Sequence, residues 1–430
     1  MRPRLNEIAV LVLILAFSET SFCAEWLKNI VPGVIYTHIK TYEAGSPLHI
    51  HILKIDLGND KVDIRPELAG GIIGGLERTS SIAARTNAVA AINGSFFEAK
   101  KKLHLPIGFM VIDGQVVGRS VLERAAIGIK ADKKIVFGVP KTKGHVVNLE
   151  NKKSVPIWGV NRPRKKDEVV IYTNEYGATT RTNDFGKEII VDGSGKVIEI
   201  SPKGDSPIPA NGFVVSLHGW SRDFVAKTKT GDRIGLSYDL AEEWKDVRQA
   251  VTGGPLLLRD GETVHEKSLV DEKFIGELLP PNSRTAIGIT KDKQLLLVVV
   301  DKRSSLSKGV TYDELAGIMK EAGATDAIGL DGGHASTMYL DGKIVNYPLT
   351  GREGEVSNAI IVTYSGWHLA SIPKAPEVKM VYSEPSRRML ESIRLDAELL
   401  PSSYFPQPED YGIYGLYDLY NGVSKPVYFY

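Results

Sequence analysis

From Leu48 the chain reads His49-Ile50-His51-Ile52-Leu53-Lys54-Ile55-Asp56-Leu57, and apolar and polar residues keep alternating to about Arg65. A period of two belongs to a strand with one face in the core and one in water, so a half-buried strand is predicted here. Short apolar runs of strand length recur along the chain, and several are separated by Asp113-Gly114, Asp192-Gly193, Asp260-Gly261 and Asp341-Gly342. Asp-Gly accepts the positive φ angles of a tight hairpin, and repeated turns of this kind predict a meandering antiparallel architecture. Two stretches fit helices instead. One covers 79–86 behind a Ser/Thr cap; the other covers 311–322, with Thr311 and Glu314 at capping-box spacing, an apolar stripe of Leu315, Ile318 and Met319, and Gly323 at the end. The fold class expected is α+β: a β-rich mixed domain with antiparallel hairpins and a few helices, plus a small C-terminal appendage.

One ten-residue pattern occurs twice. Arg124-Ala-Ala-Ile-Gly-Ile-Lys-Ala-Asp-Lys returns as Arg284-Thr-Ala-Ile-Gly-Ile-Thr-Lys-Asp-Lys, each copy followed by an apolar strand. Both read as strand, turn, strand. A common hairpin grammar used twice and a true structural repeat fit this equally well, and there are too few copies for a solenoid or propeller.

The two ends follow other rules. Arg2 and Arg4 precede the apolar run 8–17 and a small, polar stretch at 18–21, the layout of a secretory signal. That run is too short to span a bilayer. Ser21 and Cys23 suit cleavage after Cys23, so residues 1–23 are expected to be a signal peptide. The mature chain is then expected to have no cysteine and no transmembrane segment, and to be secreted or held in a bacterial envelope or periplasm. Lipid anchoring at Cys23 is the alternative, and the bulky Phe22 speaks against it. Beyond Tyr364 the pattern changes: Pro373 and Pro376 break it, and the remainder is rich in Tyr, Pro and Ser with one helix expected at 385–399. Residues 26–366 are taken as the main domain and 367–430 as an appendage of unknown role. A formal net charge of +1 supplies no global field for nucleic acid, and the basic cluster at 162–166 is short, so no nucleic-acid partner is expected. The oligomeric state is not legible.

Three Gly-rich segments carry the candidate chemistry. Asn93-Gly94-Ser95-Phe96-Phe97 follows the apolar run 88–92, Thr252-Gly253-Gly254-Pro255 joins two apolar runs, and Asp331-Gly332-Gly333-His334-Ala335-Ser336-Thr337 follows the run 327–330. The first two read equally as turns or close backbone approaches. The third sets a carboxylate, an imidazole and two hydroxyls on a flexible backbone, more reactive groups than a structural loop needs. Between them stand Ser283-Arg284-Thr285 and Asp301-Lys302-Arg303, whose guanidinium forks could bracket one anionic group. No cofactor is predicted. His218 and His334 lack the paired spacing of zinc sites, and a divalent cation on Asp side chains stays open without a loop signature to support it.

Taken in order, these segments resemble the phosphodiester glycosidase family. The resemblance runs from about Leu48 to Tyr364 and includes 106–114, 283–288, 301–303 with Gly309 and 311–316, Asn346, and 356–362. It implies an α+β domain that hydrolyses a sugar joined through its anomeric oxygen to a phosphodiester. By the same resemblance Asp331 is the catalytic candidate, with Asp301 second. Asn93, Thr252, Gly253, Gly254, Arg284, Thr285, Arg303, Gly332, Gly333, His334, Ser336, Thr337 and Arg352 are the candidates for holding substrate. Two departures stand out: His334 replaces a small residue, and the arginine usual before Val356-Ser357-Asn358-Ala359 is displaced to Arg352, with Glu355 beside Val356. In the implied reaction a carboxylate stabilises the positive sugar ring, and arginines stabilise a phosphate leaving group that needs little protonation. The expected partner is a glycan or sugar-phosphodiester, on an envelope or extracellular glycan. P–O cleavage by a phosphodiesterase is one rival, and an envelope protein that binds exopolysaccharide or another glycan without turnover is the other.

Overall fold

Continuous apolar runs, rather than alternating ones, mark the centre of the molecule. In the computed structural model, which describes residues 23–43, 45–119, 122–274, 276, 279–366 and the strand Glu377–Val381, the strand Gln294–Val300 has six consecutive buried residues. Leu295, Leu297 and Val299 face one core with Leu53, Ile55, Ile287 and Ile328. Leu296, Val298 and Val300 face a second core with Ala286, Leu315, Ala316 and Met319. A strand covered on both faces has no polar face to show, which is why its sequence does not alternate. At about 1.5–3 kcal/mol for each fully buried aliphatic side chain, this strand alone contributes on the order of 10 kcal/mol before chain entropy opposes it.

Gln294–Val300 lies between Ser46–Asp56 and Arg284–Thr290, antiparallel to both. Arg284–Thr290 pairs in turn with Ala324–Gly329, and that strand with Leu256–Arg259, inside a nine-stranded sheet. The helix Tyr312–Glu321 covers one face. The other face meets a five-stranded sheet through Ile92, Met338, Ile360 and Val362, and a ten-stranded sheet through Met110, Ile127 and Val251. These elements belong to one unit, Cys23–Met380. Residues 1–22 of the expected signal peptide and the helix at 385–399 lie outside the described residues, and Cys23, its last residue, opens the strand Cys23–Val31.

The strand-rich, antiparallel expectation holds, with few helices. Asp113-Gly114, Asp260-Gly261 and Asp341-Gly342 each close a hairpin with both residues at positive φ. Asp192-Gly193 works differently. Asp192 Oδ1 accepts the N–H groups of Ser194 and Lys196, and Gly195 supplies the positive φ, at 84°. The helix Tyr312–Glu321 has the capping box read from sequence: Glu314 N–H donates to Thr311 Oγ1 at 3.2 Å and Thr311 N–H to Glu314 Oε2 at 2.6 Å. The shorter helix is Thr79–Arg85. The twice-used pattern forms two hairpins in two different sheets, Ala126–Lys130 with Ile135–Gly138 and Arg284–Thr290 with Gln294–Val300, and both turn at a lysine with φ of 60°.

The first predicted strand needs correction. It ends at Asp56, and its polar residues His49 and His51 are buried, not solvated. The neighbouring strand covers them: His38 stacks on His51 with ring centroids 4.5 Å apart, and Tyr36 Oη meets His51 Nδ1 at 2.7 Å. Histidine alternates like a surface residue in sequence, but its ring packs like a core residue once its nitrogens have partners.

Candidate functional site

The site forms where strands from three sheets end together. Ala90–Asn93 closes the middle of the five-stranded sheet, Val247–Thr252 leaves the ten-stranded sheet, and Ala324–Gly329 runs on into the loop 331–337. Gly253, Gly254 and Pro255 carry the chain from the ten-stranded sheet into the nine-stranded one, with a cis Gly254–Pro255 bond. The crossover is tight. Gly253 N–H donates to Ala125 O at 2.8 Å and Gly254 N–H to Gly329 O at 2.9 Å, so neither amide is left for a ligand. Gly254 has φ 101°, and a Cβ there would lie 2.2 Å from Glu272 Oε2. Thr252 is occupied as well, since its hydroxyl accepts Phe109 N–H and donates to Phe109 O.

Asn93 ties the loop 331–337 to the sheet. Its Oδ1 accepts Thr285 Oγ1 at 2.8 Å and Thr337 N–H at 3.1 Å, and its Nδ2 donates to Asp331 O at 2.6 Å. Ser336 Oγ joins the knot 3.2 Å from Thr285 Oγ1. All four of Asn93, Thr285, Ser336 and Thr337 are buried. Behind them Asp331 N–H donates to Gly94 O, and Asn358 Oδ1 accepts Ser95 N–H at 3.0 Å. A Cβ on Gly94 would stand 1.9 Å from Asn358 Oδ1, so only glycine lets the two segments meet. These polar residues fix where the loop lies, and through it where Asp331 sits.

Asp331 is half-buried, and its Oδ1 accepts Gly332 N–H at 3.0 Å. Desolvation pushes its carboxyl up to about 7, against the pull of that N–H and of the Arg124 cation. Two guanidinium groups stand on aromatic faces close by, Arg124 acting on the Asp331 carboxyl and Arg284 beside Gly332. Arg124 lies 4.0 Å from the centroid of Phe274 and 5.2 Å from that of Phe96; Arg284 lies 4.0 Å from that of Tyr312. The rings touch one another edge to face, Phe274 with Tyr312 at 5.7 Å and with Phe96 at 5.5 Å. Burial pulls both guanidinium groups down from the usual arginine range, without discharging them. Among the described residues the buried Tyr312 Oη meets no hydrogen-bond partner, and desolvation raises its phenol to about 12. The result is a carboxyl that resists ionisation, two cations held rigid by stacking, the buried Glu272 carboxylate acting on one of them, and a hydroxyl without a partner among the described residues. Such a group is suited to an anionic ligand whose reacting atom needs a carboxylate nearby.

Asp301 plays a different part. It is fully buried, with Oδ2 taking His51 Nε2 at 2.9 Å and Tyr347 N–H at 2.9 Å, and Oδ1 taking Asn346 Nδ2 at 3.0 Å. Asn346 also donates to Ser336 O and accepts Met338 N–H, so Asp301 braces the loop 331–337 from behind. Burial, with the neighbouring His51 adding to it, lowers His38 to about 2 and His49 to about 4, leaving both neutral beside it. Arg303 packs against Gly351, and Arg352 and His334 are exposed. Gly332 and Gly333 lie in the loop itself, Gly333 donating its N–H to Ser283 O.

Sequence reasoning missed Arg124, Glu272, Phe274, Tyr312 and Asn358. The repeated pattern was the one available signal for Arg124, since it aligns that residue with Arg284. Glu272 is buried and bonded to Ala125 N–H and Leu256 N–H, and nothing in its local sequence announces that. Among the described residues no group of three or more His, Cys, Asp or Glu side chains is placed to hold a metal ion, and no helix is long and apolar enough to cross a membrane.

Comparison with known proteins adds to this geometry. The model of the phosphodiester glycosidase family matches residues 185–363, so the resemblance read from the motifs holds over that stretch. An uncharacterized protein of Rickettsia conorii is 28% identical over 231 residues, covering 51% of this chain and 77% of that one. Mouse N-acetylglucosamine-1-phosphodiester alpha-N-acetylglucosaminidase is 27% identical over 111 residues, 23% of this chain and only 21% of the mouse protein. A crystal structure of a hypothetical protein from Synechocystis has the same fold, with a TM-score of 0.66 at 21% identity over 79% of this chain and 63% of that one. Asn93 and Arg124 precede the matched stretch, yet the fold brings both to Asp331.

Proposed function

We propose that this chain, which matches the phosphodiester glycosidase family over residues 185–363, is an exported hydrolase that cleaves the anomeric C–O bond of a sugar-1-phosphodiester. The observation that carries the reading is Asp331, a half-buried carboxylate on which the stacked, buried Arg124 acts, with the stacked, buried Arg284 beside the next residue, Gly332. Arg124 and Arg284 hold the phosphate and stabilise the charge it gains as it leaves. Asp331 faces the sugar side and, once ionised, stabilises the oxocarbenium-like ring as nucleophile or as the base for water. A phosphate leaving group is weakly basic, so departure of the monoester needs no strong general acid. The loop 331–337, fixed by Asn93 and braced by Asp301, keeps the carboxylate in place. Export rests on the basic residues and short apolar run at the start of the sequence.

The test is product analysis in ¹⁸O-labelled water with a panel of sugar-1-phosphodiesters. Label on the released sugar is the expected result. Label on phosphate means P–O cleavage and overturns the assignment. Binding of glycan without release from any member of the panel would place the chain among non-catalytic glycan-binding proteins.

A further inference from the structure

Tyr312 is the first residue of the helix Tyr312–Glu321 and follows the Thr311–Glu314 capping box, so the backbone that carries it is fixed. Its ring is fixed as well. Arg284 lies over the ring at 4.0 Å from its centroid, and Phe274 meets it edge to face at 5.7 Å. The residue is 3% exposed, and its hydroxyl meets no hydrogen-bond partner among the described residues. Burying a hydroxyl in that state is unfavourable, and a phenylalanine would fill the same space without the penalty. The hydroxyl also lies where the charges of the site converge. After burial itself, Arg284, Asp331, Arg124 and Glu272 act on the phenol, in that order.

We propose that Tyr312 is a substrate-binding residue, whose Oη donates a hydrogen bond to a non-bridging oxygen of the phosphate held by Arg124 and Arg284. The inference rests on the reaction proposed above and adds a neutral donor to it. Non-bridging oxygens take up charge as the sugar departs, so a donor fixed beside them acts more strongly in the transition state than in the bound substrate. An uncharged donor suits this place. A phenol raised to about 12 keeps its proton through the range in which Asp331 ionises, whereas a third cation here would draw that carboxyl down.

Tyr312→Phe deletes the hydroxyl and keeps the ring under Arg284. Calorimetric titration of the full chain with inorganic phosphate, beside thermal unfolding in phosphate-free buffer, reads the two consequences separately and needs no turnover. Phosphate affinity should fall about tenfold, the usual worth of one hydrogen bond to a charged group, while the unfolding midpoint stays the same or rises. A lowered midpoint would mean that the hydroxyl serves the fold, and overturns the proposal. Unchanged phosphate affinity overturns it too, as does an unaltered chain that binds no phosphate. Failure of the reaction itself shows separately: phosphate affinity depends on Tyr312, but labelled water marks no sugar.

Discussion

Replacing Asp331 by Asn removes the ionisable group while keeping an oxygen for Gly332 N–H, so the loop geometry survives and only the charge is lost. The folded carboxyl titrates at about 7 against an ordinary 3.8. Between those values the folded chain holds a proton that the unfolded chain releases. Wild-type stability therefore falls as pH rises across that window and levels off above it. The difference between those two values is worth on the order of 4 kcal/mol. Water reaches the half-buried side chain, so about 2–4 kcal/mol is the sound expectation. Asp331→Asn should thus be more stable than wild type by that amount in chemical unfolding at pH 8, and the gap should close towards pH 4. Over the same range wild-type kcat/KM for a sugar-1-phosphodiester should rise through about pH 7, because the ionised form reacts. Asp331→Asn should lose about a thousandfold or more in reducing-sugar release, in keeping with the usual worth of a positioned carboxylate. Turnover within tenfold of wild type, or a stability gap equal at pH 4 and pH 8, would refute the reasoning.

Arg124→Met removes the cation that pulls Asp331 down, so the rising limb of the kcat/KM profile should move to higher pH, and KM should rise; an unmoved limb would separate Arg124 from the carboxylate. Asp301→Asn must set an amide N–H₂ against at least one buried donor, and should cost about 1–3 kcal/mol in unfolding experiments. If Asp301 only braces the loop, kcat of the folded variant should fall less than tenfold, and a loss as large as that at Asp331 would make Asp301 part of the chemistry. Gly94→Ala puts a Cβ 1.9 Å from Asn358 Oδ1, so thermal unfolding should show a loss of about 1–3 kcal/mol or more as the strand ends separate.

How much of this was legible depended on whether the signal was local. Hairpins at Asp113-Gly114, Asp260-Gly261 and Asp341-Gly342 depend on two adjacent residues, and so does the capping box of Thr311 and Glu314; each was readable. His49 and His51 were misread because their partners, Tyr36, His38 and Asp301, come from other strands. The three Gly-rich segments do meet, but their glycines serve close packing: Gly94 against Asn358, Gly254 against Glu272. The direct ligand contacts implied for Gly253 and Gly254 find no free amide there. Arg303 and Arg352 looked as suitable for phosphate as Arg284, since a guanidinium does not announce its direction in sequence. What distinguishes Arg124 and Arg284 is the aromatic face beneath each, and Phe274 and Tyr312 are distant from those arginines in the chain or unmarked by any motif.

The repeated pattern gives the site its logic. Arg124 and Arg284 occupy the same place in two hairpins, each at the entrance to a strand. Ala126–Lys130 pairs with Val247–Thr252, and Arg284–Thr290 pairs with Ala324–Gly329, which pairs with Leu256–Arg259. Gly253, Gly254 and Pro255 join Val247–Thr252 to Leu256–Arg259, so a crossover of three residues draws the two hairpin entrances together. Each arginine then stands 4.0 Å from its aromatic ring, and the two rings meet at 5.7 Å. Burying each cation is unfavourable, and stacking, with the Glu272 and Asp331 carboxyls acting on Arg124, offsets part of that cost. In the proposed reaction the anionic substrate offsets more of it. On this view the tight glycines matter to function at one remove: they contact nothing that binds, but a wider crossover would separate the cations and weaken the attraction for phosphate before it disturbed the carboxylate.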